Sequence, residues 1–229
     1  MTRSAAGFFV FVFLLAGCGG GSNESANSTT TAQTTTTRAA TTRAATKGGC
    51  SEAEKKMHDD RALSNEHLKL DAGKTYRLVF ATNCGSFTVT LNQKVAPNAA
   101  GSLVSLAKRG FFDDTFFHRI VPGFVIQGGD PTGSGSGGPG YETHDSVPQD
   151  AKYSHGVVAM AKTATEPSGT AGSQFFVVTS ADAGLPPDYA IVGKVTSGLD
   201  IVDRIGKLGD ANERPTRAIV ISKAKVETS

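Results

Sequence analysis

Apolar and polar positions alternate with a period of two through much of the chain beyond residue 75, the spacing of β-strands that bury one face. Thr75 to Ala81 and Ser86 to Leu91 alternate in this way on either side of Asn83-Cys84-Gly85, whose residue types suit a turn, so the pair reads as a hairpin. The period then changes. From Pro97 to Lys108 it becomes helical, with Leu103, Val104 and Leu106 inward, proline in the first turn and Gly110 ending the helix. Alternation returns in Phe116 to Asp130, FFHRIVPGFVIQGGD, which a Pro122-Gly123 turn divides, and again in Gly172 to Thr179, GSQFFVVT. Gly156 to Ala161, Tyr189 to Val195 and Ile219 to Lys225 complete the strands. Leu199 to Leu208 sets Ile201, Val202, Ile205 and Leu208 at helical spacing. About eight strands and two helices interleaved in this order predict a mostly β fold, a closed eight-stranded antiparallel barrel capped by two α-helices.

Two of these segments carry polar side chains that a plain core strand would not. A regular strand puts Phe117 with Arg119 on one face, Val125 with Gln127 on another, and Gln174 with Phe176 on a third. Side by side, such strands present a guanidinium and two side-chain amides beside an apolar floor of Phe124, Val125 and Phe176. An apolar floor suits a proline ring, and fixed donors beside it suit a peptide bond, so the surface matches an Xaa-Pro segment. Alternating Phe, Val and Ile taken alone mark no more than a strand on its core. Arg119 and Gln127 change that picture, because neither type is easily buried without a partner.

The beginning of the chain has a different character. Residues 1–17 hold an early Arg3 and an apolar run from Phe8 to Leu15 that is too short to span a bilayer as a helix. Leu15-Ala16-Gly17 directly before Cys18 resembles a bacterial lipobox, which implies export, cleavage after Gly17 and attachment of lipid, palmitate included, to Cys18. The lipid would hold the protein at the outer face of the cell membrane. Residues 18–50 are mostly Ser, Thr, Ala, Gly and Asn and predict a disordered tether. Residues 51–70 form a charged lead-in with a short helix expected around Glu52 to Arg61, and residues 71–229 form one domain.

Charge and motifs narrow the chemistry. The net charge is +2 with no basic block and no stripe of arginine and aromatic residues, so nucleic acid is not an expected partner. The glycine run Thr132 to Gly140 lacks a following Gly-Lys-Ser/Thr, which excludes a phosphate loop and leaves a flexible crossing over the surface. Ser134 and Ser136 lie in no GxSxG elbow. With no CxxC and no HExxH, neither metal nor cofactor is expected. If Cys18 is acylated, Cys50 and Cys84 remain for an oxidising compartment, where a disulfide between them is expected, although sequence does not bring their Cα atoms within range.

FHRIVPGFVIQGGD, GSQFFVVT, the AMA strand, the VGKV strand and the helix after it occur in an order that resembles the cyclophilin-type peptidyl-prolyl isomerases, from Tyr76 to Val226. With its lipobox, tether and DPTGSGSGGPGY, the chain looks like the lipoprotein cyclophilins of high-GC Gram-positive bacteria. The resemblance implies an eight-stranded barrel with two helices and catalysis of cis-trans rotation about Xaa-Pro bonds by a monomer. Residue by residue, Arg119 matches the catalytic arginine, while Phe124, Val125, Phe176 and Leu185 match the proline pocket. Gln127 matches the glutamine on the carbonyl side of the substrate. Ala161, the backbone of Lys162, and Gln174 match positions along the groove, and Tyr189 falls where many members have His. Val125 replaces a common Met, Lys162 replaces an Asn, and the loop from Thr163 to Ala171 is longer than usual, which alters the expected preference near the proline. The chain has no Trp, with Gly184 or a neighbour in its place, so weak cyclosporin binding is expected.

A twisted prolyl amide regains a lone pair on nitrogen, and Arg119, always protonated, is the expected donor to it. This requires Arg119 to face the slot of Phe124, Phe176 and Leu185 and to stay out of an internal ion pair. His118 is expected to be structural. Two rival readings remain: a module that only binds proline-containing segments of exported or cell-wall proteins, and a barrel that binds a small ligand in a deep closed cavity.

Overall fold

The computed structural model describes residues 49–56, 58, 61–64 and 68–229. The expected signal segment, Cys18 and all but the end of the expected tether lie outside the described residues. The domain begins with the hairpin of β1 (Tyr76–Thr82) and β2 (Gly85–Leu91), followed by α1 (Pro97–Lys108). Next come β3 (Thr115–Phe116), β4 (Arg119–Val121), β5 (Val125–Gly128), β6 (Thr143–His144), β7 (Val157–Met160), β8 (Thr170–Ala171) and β9 (Phe175–Val178). The chain ends with β10 (Ile191–Ser197), α2 (Leu199–Gly206) and β11 (Val220–Thr228). α2 stops at Gly206, short of Leu208, where the chain packs against the Thr179 side chain.

Nine strands form one antiparallel sheet in the order β3-β11-β1-β2-β10-β7-β9-β5-β4. Its two end strands are consecutive pieces of chain. Phe117 and His118, which join them, donate backbone hydrogen bonds to Ile219, just before β11, and to Gln127 of β5, so β3 and β4 run on from one another and bring the two ends of the curled sheet together. The nine strands thus occupy the eight positions that the alternation predicts. β6 and β8 pair separately.

The junction of β3 and β4 corrects one expectation. His118 donates to the Gln127 carbonyl, and Arg119 is itself the register partner of Gln127, so two residues oppose one. This is a β-bulge, which adds a residue and reverses the facing of everything before it. Phe117 therefore lies fully buried inside the barrel, 6.3 Å from the Phe87 ring and 6.2 Å from Phe175, while Arg119 points outward. They do not share a face.

The interior is filled with aromatic rings. Phe80 stacks on Phe87 and meets Phe175 at a tilt, with centroids 5.2 Å apart in each case, and meets Phe112 edge-on. Leu103, Val104 and Leu106 of α1 and Val202 and Ile205 of α2 close onto this cluster. Each such side chain contributes roughly 1.5–3 kcal/mol by leaving water. These rings occupy the interior in which the third reading placed a small ligand.

Residues flanking the barrel hold its shape. Ala96 gives α1 no side-chain cap, and the buried Asp145 carboxylate accepts instead from the amides of Asn98 and Ala99 at 3.0 and 2.8 Å. No helix forms in the described residues of 51–64. This lead-in is pinned as an extended strap by the Cys50–Cys84 disulfide, by Ser51 N–H on Asn83 O, by Arg61 on the carbonyls of Gly110 and Phe111, and by Leu63 N–H on Pro139 O. Its polar groups find partners on the barrel, which replaces helical bonding along its own backbone. Further along, a Cβ at Gly101 would lie 2.0 Å from Leu68 O, so only glycine lets the strap cross α1.

Candidate active site

The bulge turns Arg119 onto the outer face of the sheet, and the register then builds a row beneath it. Arg119 pairs with Gln127, Gln127 with Phe176, and Phe176 with Ala159. Beside this row opens a pocket of about 180 Å³ lined by Arg119, Phe124, Val125, Gln127, Ala161, Lys162, Phe176, Leu185 and Tyr189. Gln174 lines an adjoining trough of about 670 Å³, which shares Gln127, Ala161 and Lys162 with the pocket and runs under the glycine loop from Gly135 to Gly140. All the groove positions expected from the sequence lie in these two hollows.

The pocket floor is apolar and closely packed. Val125 and Phe176 are buried, and Phe176 meets the Tyr189 ring edge-on at 5.5 Å. Tyr153, which the sequence did not single out, supports both rings from below. Its hydroxyl donates to Tyr189 O and accepts from Tyr189 N–H, each at 2.9 Å, and burial pushes its hydroxyl pKa up.

The polar side is a connected chain. Arg119 Nη1 donates to Gln127 Oε1 at 3.3 Å, Gln127 Nε2 to Gln174 Oε1 at 3.0 Å, and Gln174 Nε2 to the carbonyls of Gly135 and Gly137. The loop that receives this chain is not a loose crossing. Asp130, with no exposed surface, accepts from the amides of Thr132, Gly135 and Gly137 and from the Thr132 hydroxyl, and the glycine run folds around it. Burial alone would raise the Asp130 pKa, but these hydrogen bonds outweigh it and hold the carboxyl below its ordinary 3.8.

Arg119 meets one of its two sequence requirements and not the other. It lines the slot, yet its Nε donates to Glu213 Oε2 at 2.6 Å in an ion pair that no local sequence pattern foretells. The pair occupies one edge of the guanidinium. Both N–H groups of Nη2 and one of Nη1 keep no protein acceptor among the described residues, so the fork retains donors for a ligand.

Lys162 fills the wall between pocket and trough. Its side chain is only 3% exposed, with Nζ 2.6 Å from Asp188 Oδ2 and donating to the carbonyls of Thr163 and Glu166. His118 feels the charges of both Asp130 and Arg119, and neither of its ring nitrogens is hydrogen-bonded. Burial lowers its pKa below 6.5, Asp130 opposes the shift and Arg119 adds to it, so the ring is neutral at pH 7. Ala62 of the strap also lines the trough. Neither Ala62 nor Glu213 carries a local sequence signal, because each reaches the groove through tertiary contact. No group of His, Cys, Asp and Glu among the described residues is placed to hold a metal, and no helix among them is long and apolar enough to cross a membrane.

Comparison with known proteins agrees with this geometry. The family described as cyclophilin type peptidyl-prolyl cis-trans isomerase/CLD matches residues 77–226. Peptidyl-prolyl cis-trans isomerase-like 1 of Emericella nidulans is 38% identical over 154 residues, covering 65% of this chain and 93% of that protein. A peptidyl-prolyl cis-trans isomerase of Arabidopsis thaliana is 33% identical over 159 residues, covering 67% and 95%. Among solved structures, a cyclophilin type isomerase of Cryptosporidium parvum, crystallised in the presence of the dipeptide Ala-Pro, superposes with a TM-score of 0.61 at 31% identity over 66% of this chain and 98% of that one. With the barrel, the slot and the matched span in agreement, this chain belongs to the cyclophilin-type peptidyl-prolyl cis-trans isomerases.

Proposed function

We propose that this isomerase turns Xaa-Pro bonds in exported proteins while anchored to the cell membrane through lipid on Cys18, and that Arg119 is its catalytic donor. The observation that carries the assignment of Arg119 is the open Nη edge of a fixed guanidinium on the rim of an apolar slot. The amide resists rotation by about 18–20 kcal/mol because nitrogen shares its lone pair with the carbonyl. As the bond twists, the nitrogen becomes pyramidal and accepts a hydrogen bond that the planar ground state does not offer. A donor that meets only the twisted state lowers the barrier without tightening ground-state binding. One such preorganised donor is worth about 100- to 1,000-fold in rate.

The other residues hold the substrate still. The proline ring seats on Phe124, Val125, Phe176 and Leu185, which exclude the water that stabilises the planar amide. Gln127, backed by Gln174, steadies the carbonyl side, and Ala161, Tyr189 and the backbone of Lys162 line the path of the flanking peptide. No step moves a proton. The Ala-Pro dipeptide present with the Cryptosporidium parvum neighbour supports a proline ligand here. Lys162 and the 163–171 loop leave an altered preference beside the proline, and the chain has no Trp, with exposed Gly184 or a neighbour in that residue's place, which favours weak cyclosporin binding.

Support for the membrane anchor comes from the lipobox before Cys18, and support for extracytoplasmic clients from the same motif together with the Cys50–Cys84 disulfide. The resemblance to lipoprotein cyclophilins of high-GC Gram-positive bacteria and the monomeric state are parts of this same reading. Exchange spectroscopy on a short Xaa-Pro peptide tests the catalytic core. Catalytic amounts of the full chain are expected to raise the cis-trans exchange rate. Binding of the peptide without any rise in exchange would favour the module that only binds.

A further inference from the structure

We infer that Glu213 is a positioning residue for the isomerisation, fixing the plane of the Arg119 guanidinium so that its Nη edge lies along the proline slot. The inference rests on the reading of Arg119 as catalytic donor. Arg119 is 35% exposed in its side chain, and a half-exposed arginine on an outer sheet face has many rotamers open to it. Two contacts remove that freedom. The Glu213 carboxylate takes Nε at 2.6 Å and the Gln127 amide oxygen takes Nη1 at 3.3 Å, and two anchored points beside the Cδ bond define the plane of the fork. Of the donors left over, one N–H of Nη2 and one of Nη1 point from the end of the fork away from Glu213.

The backbone around Glu213 is built to hold that carboxylate in place. Glu213 has φ 63°, a left-handed conformation that a residue with a Cβ rarely adopts. Asp210 maintains it: its carboxylate accepts from the amides of Asn212 and Arg214 at 2.8 and 2.9 Å, and its carbonyl accepts from Glu213 N–H at 3.1 Å. Ile120 N–H donates to Glu213 O at 2.9 Å, which ties the loop to the strand residue next to Arg119. Strain of this kind persists only where neighbouring groups hold it, here Asp210 and the Ile120 amide.

The test uses Glu213→Gly and Glu213→Gln in the full chain, measured for kcat, KM and thermal midpoint on an Xaa-Pro peptide. Glycine removes the carboxylate but suits the positive φ, so the thermal midpoint is expected to hold or rise while kcat falls about 10-fold or more with KM little changed. Glutamine keeps an acceptor oxygen and is expected to stay within about 3-fold of wild type, the loss being that of charge alone. In an Arg119→Ala background, Glu213→Gly is expected to change nothing further. Wild-type or raised kcat in Glu213→Gly overturns the inference, as does an equal fall in both backgrounds. If Arg119→Ala itself has wild-type kcat, it is the assignment of Arg119 that fails. A slow Arg119→Ala with a fast Glu213→Gly sinks the Glu213 inference alone.

Discussion

Lys162 Nζ lies 2.6 Å from Asp188 Oδ2 with the lysine side chain almost fully buried. The ion pair spans the wall between the proline slot and the trough, joining the start of the 163–171 loop to the turn that carries Tyr189. Removing only the acid strands a buried ammonium, so Asp188→Ala is expected to lose about 3 kcal/mol of unfolding free energy in a urea titration. Lys162→Met, which removes the charge and keeps the volume, is expected to lose clearly less. Equal losses would mean that the pairing contributes nothing of its own.

The Cys50–Cys84 disulfide joins residues 34 apart in sequence and fastens one end of the strap. Closing a loop of that size restricts the unfolded chain, and its loss is expected to cost about 3–4 kcal/mol. The double variant Cys50→Ser and Cys84→Ser, compared with wild type in urea, measures this. An unchanged midpoint would show that Ser51, Arg61 and Leu63 hold the strap unaided.

Two groups beside the site make stability depend on pH. The folded pKa of His118 is below its ordinary 6.5, so the folded protein binds fewer protons than the unfolded chain as pH falls. Its contribution is full above 6.5 and declines below that value, until the pH reaches the folded pKa. His118→Leu is expected to flatten the unfolding free energy across that window. Asp130 acts lower: its folded pKa lies under 3.8, so stability present above 3.8 is lost as pH falls through the folded value. Asp130→Asn is expected to lose stability at neutral pH and show little further acid loss there. The same slopes in wild type and variants would contradict the assignments.

Ala62 brings the strap into the trough that adjoins the slot. Ala62→Trp is expected to alter the ranking of peptides that differ next to the proline, while leaving the shortest Xaa-Pro substrate little affected. Steady-state kinetics on a peptide series separates the two. A uniform change across the series would show that the strap acts only on stability.

Much of this was legible in the chain itself. α1 was readable to the residue because proline, helical spacing and glycine agree on its limits, and the hairpin of β1 and β2 was readable to within a residue. The bulge at His118 and Arg119 was not, since alternation on either side is intact and one inserted residue leaves no compositional trace. It nevertheless decides that Arg119 faces out and Phe117 in. The glycine run looked unstructured because its organiser, Asp130, is a single buried carboxylate whose partners are backbone amides. Glu213 was silent for a simpler reason: it sits 94 residues from Arg119 in sequence.

We propose that catalysis runs through a contact that the Arg119 guanidinium makes with the prolyl nitrogen only when the amide is twisted. The direct measurement is the isomerisation rate and peptide affinity of Arg119→Ala beside wild type, at matched thermal stability. A fall in kcat/KM of about 100-fold with affinity changed only a few-fold is the expected result. Activity equal to wild type, or a loss of activity that merely follows a loss of affinity, would show that Arg119 is not the donor to the twisted amide.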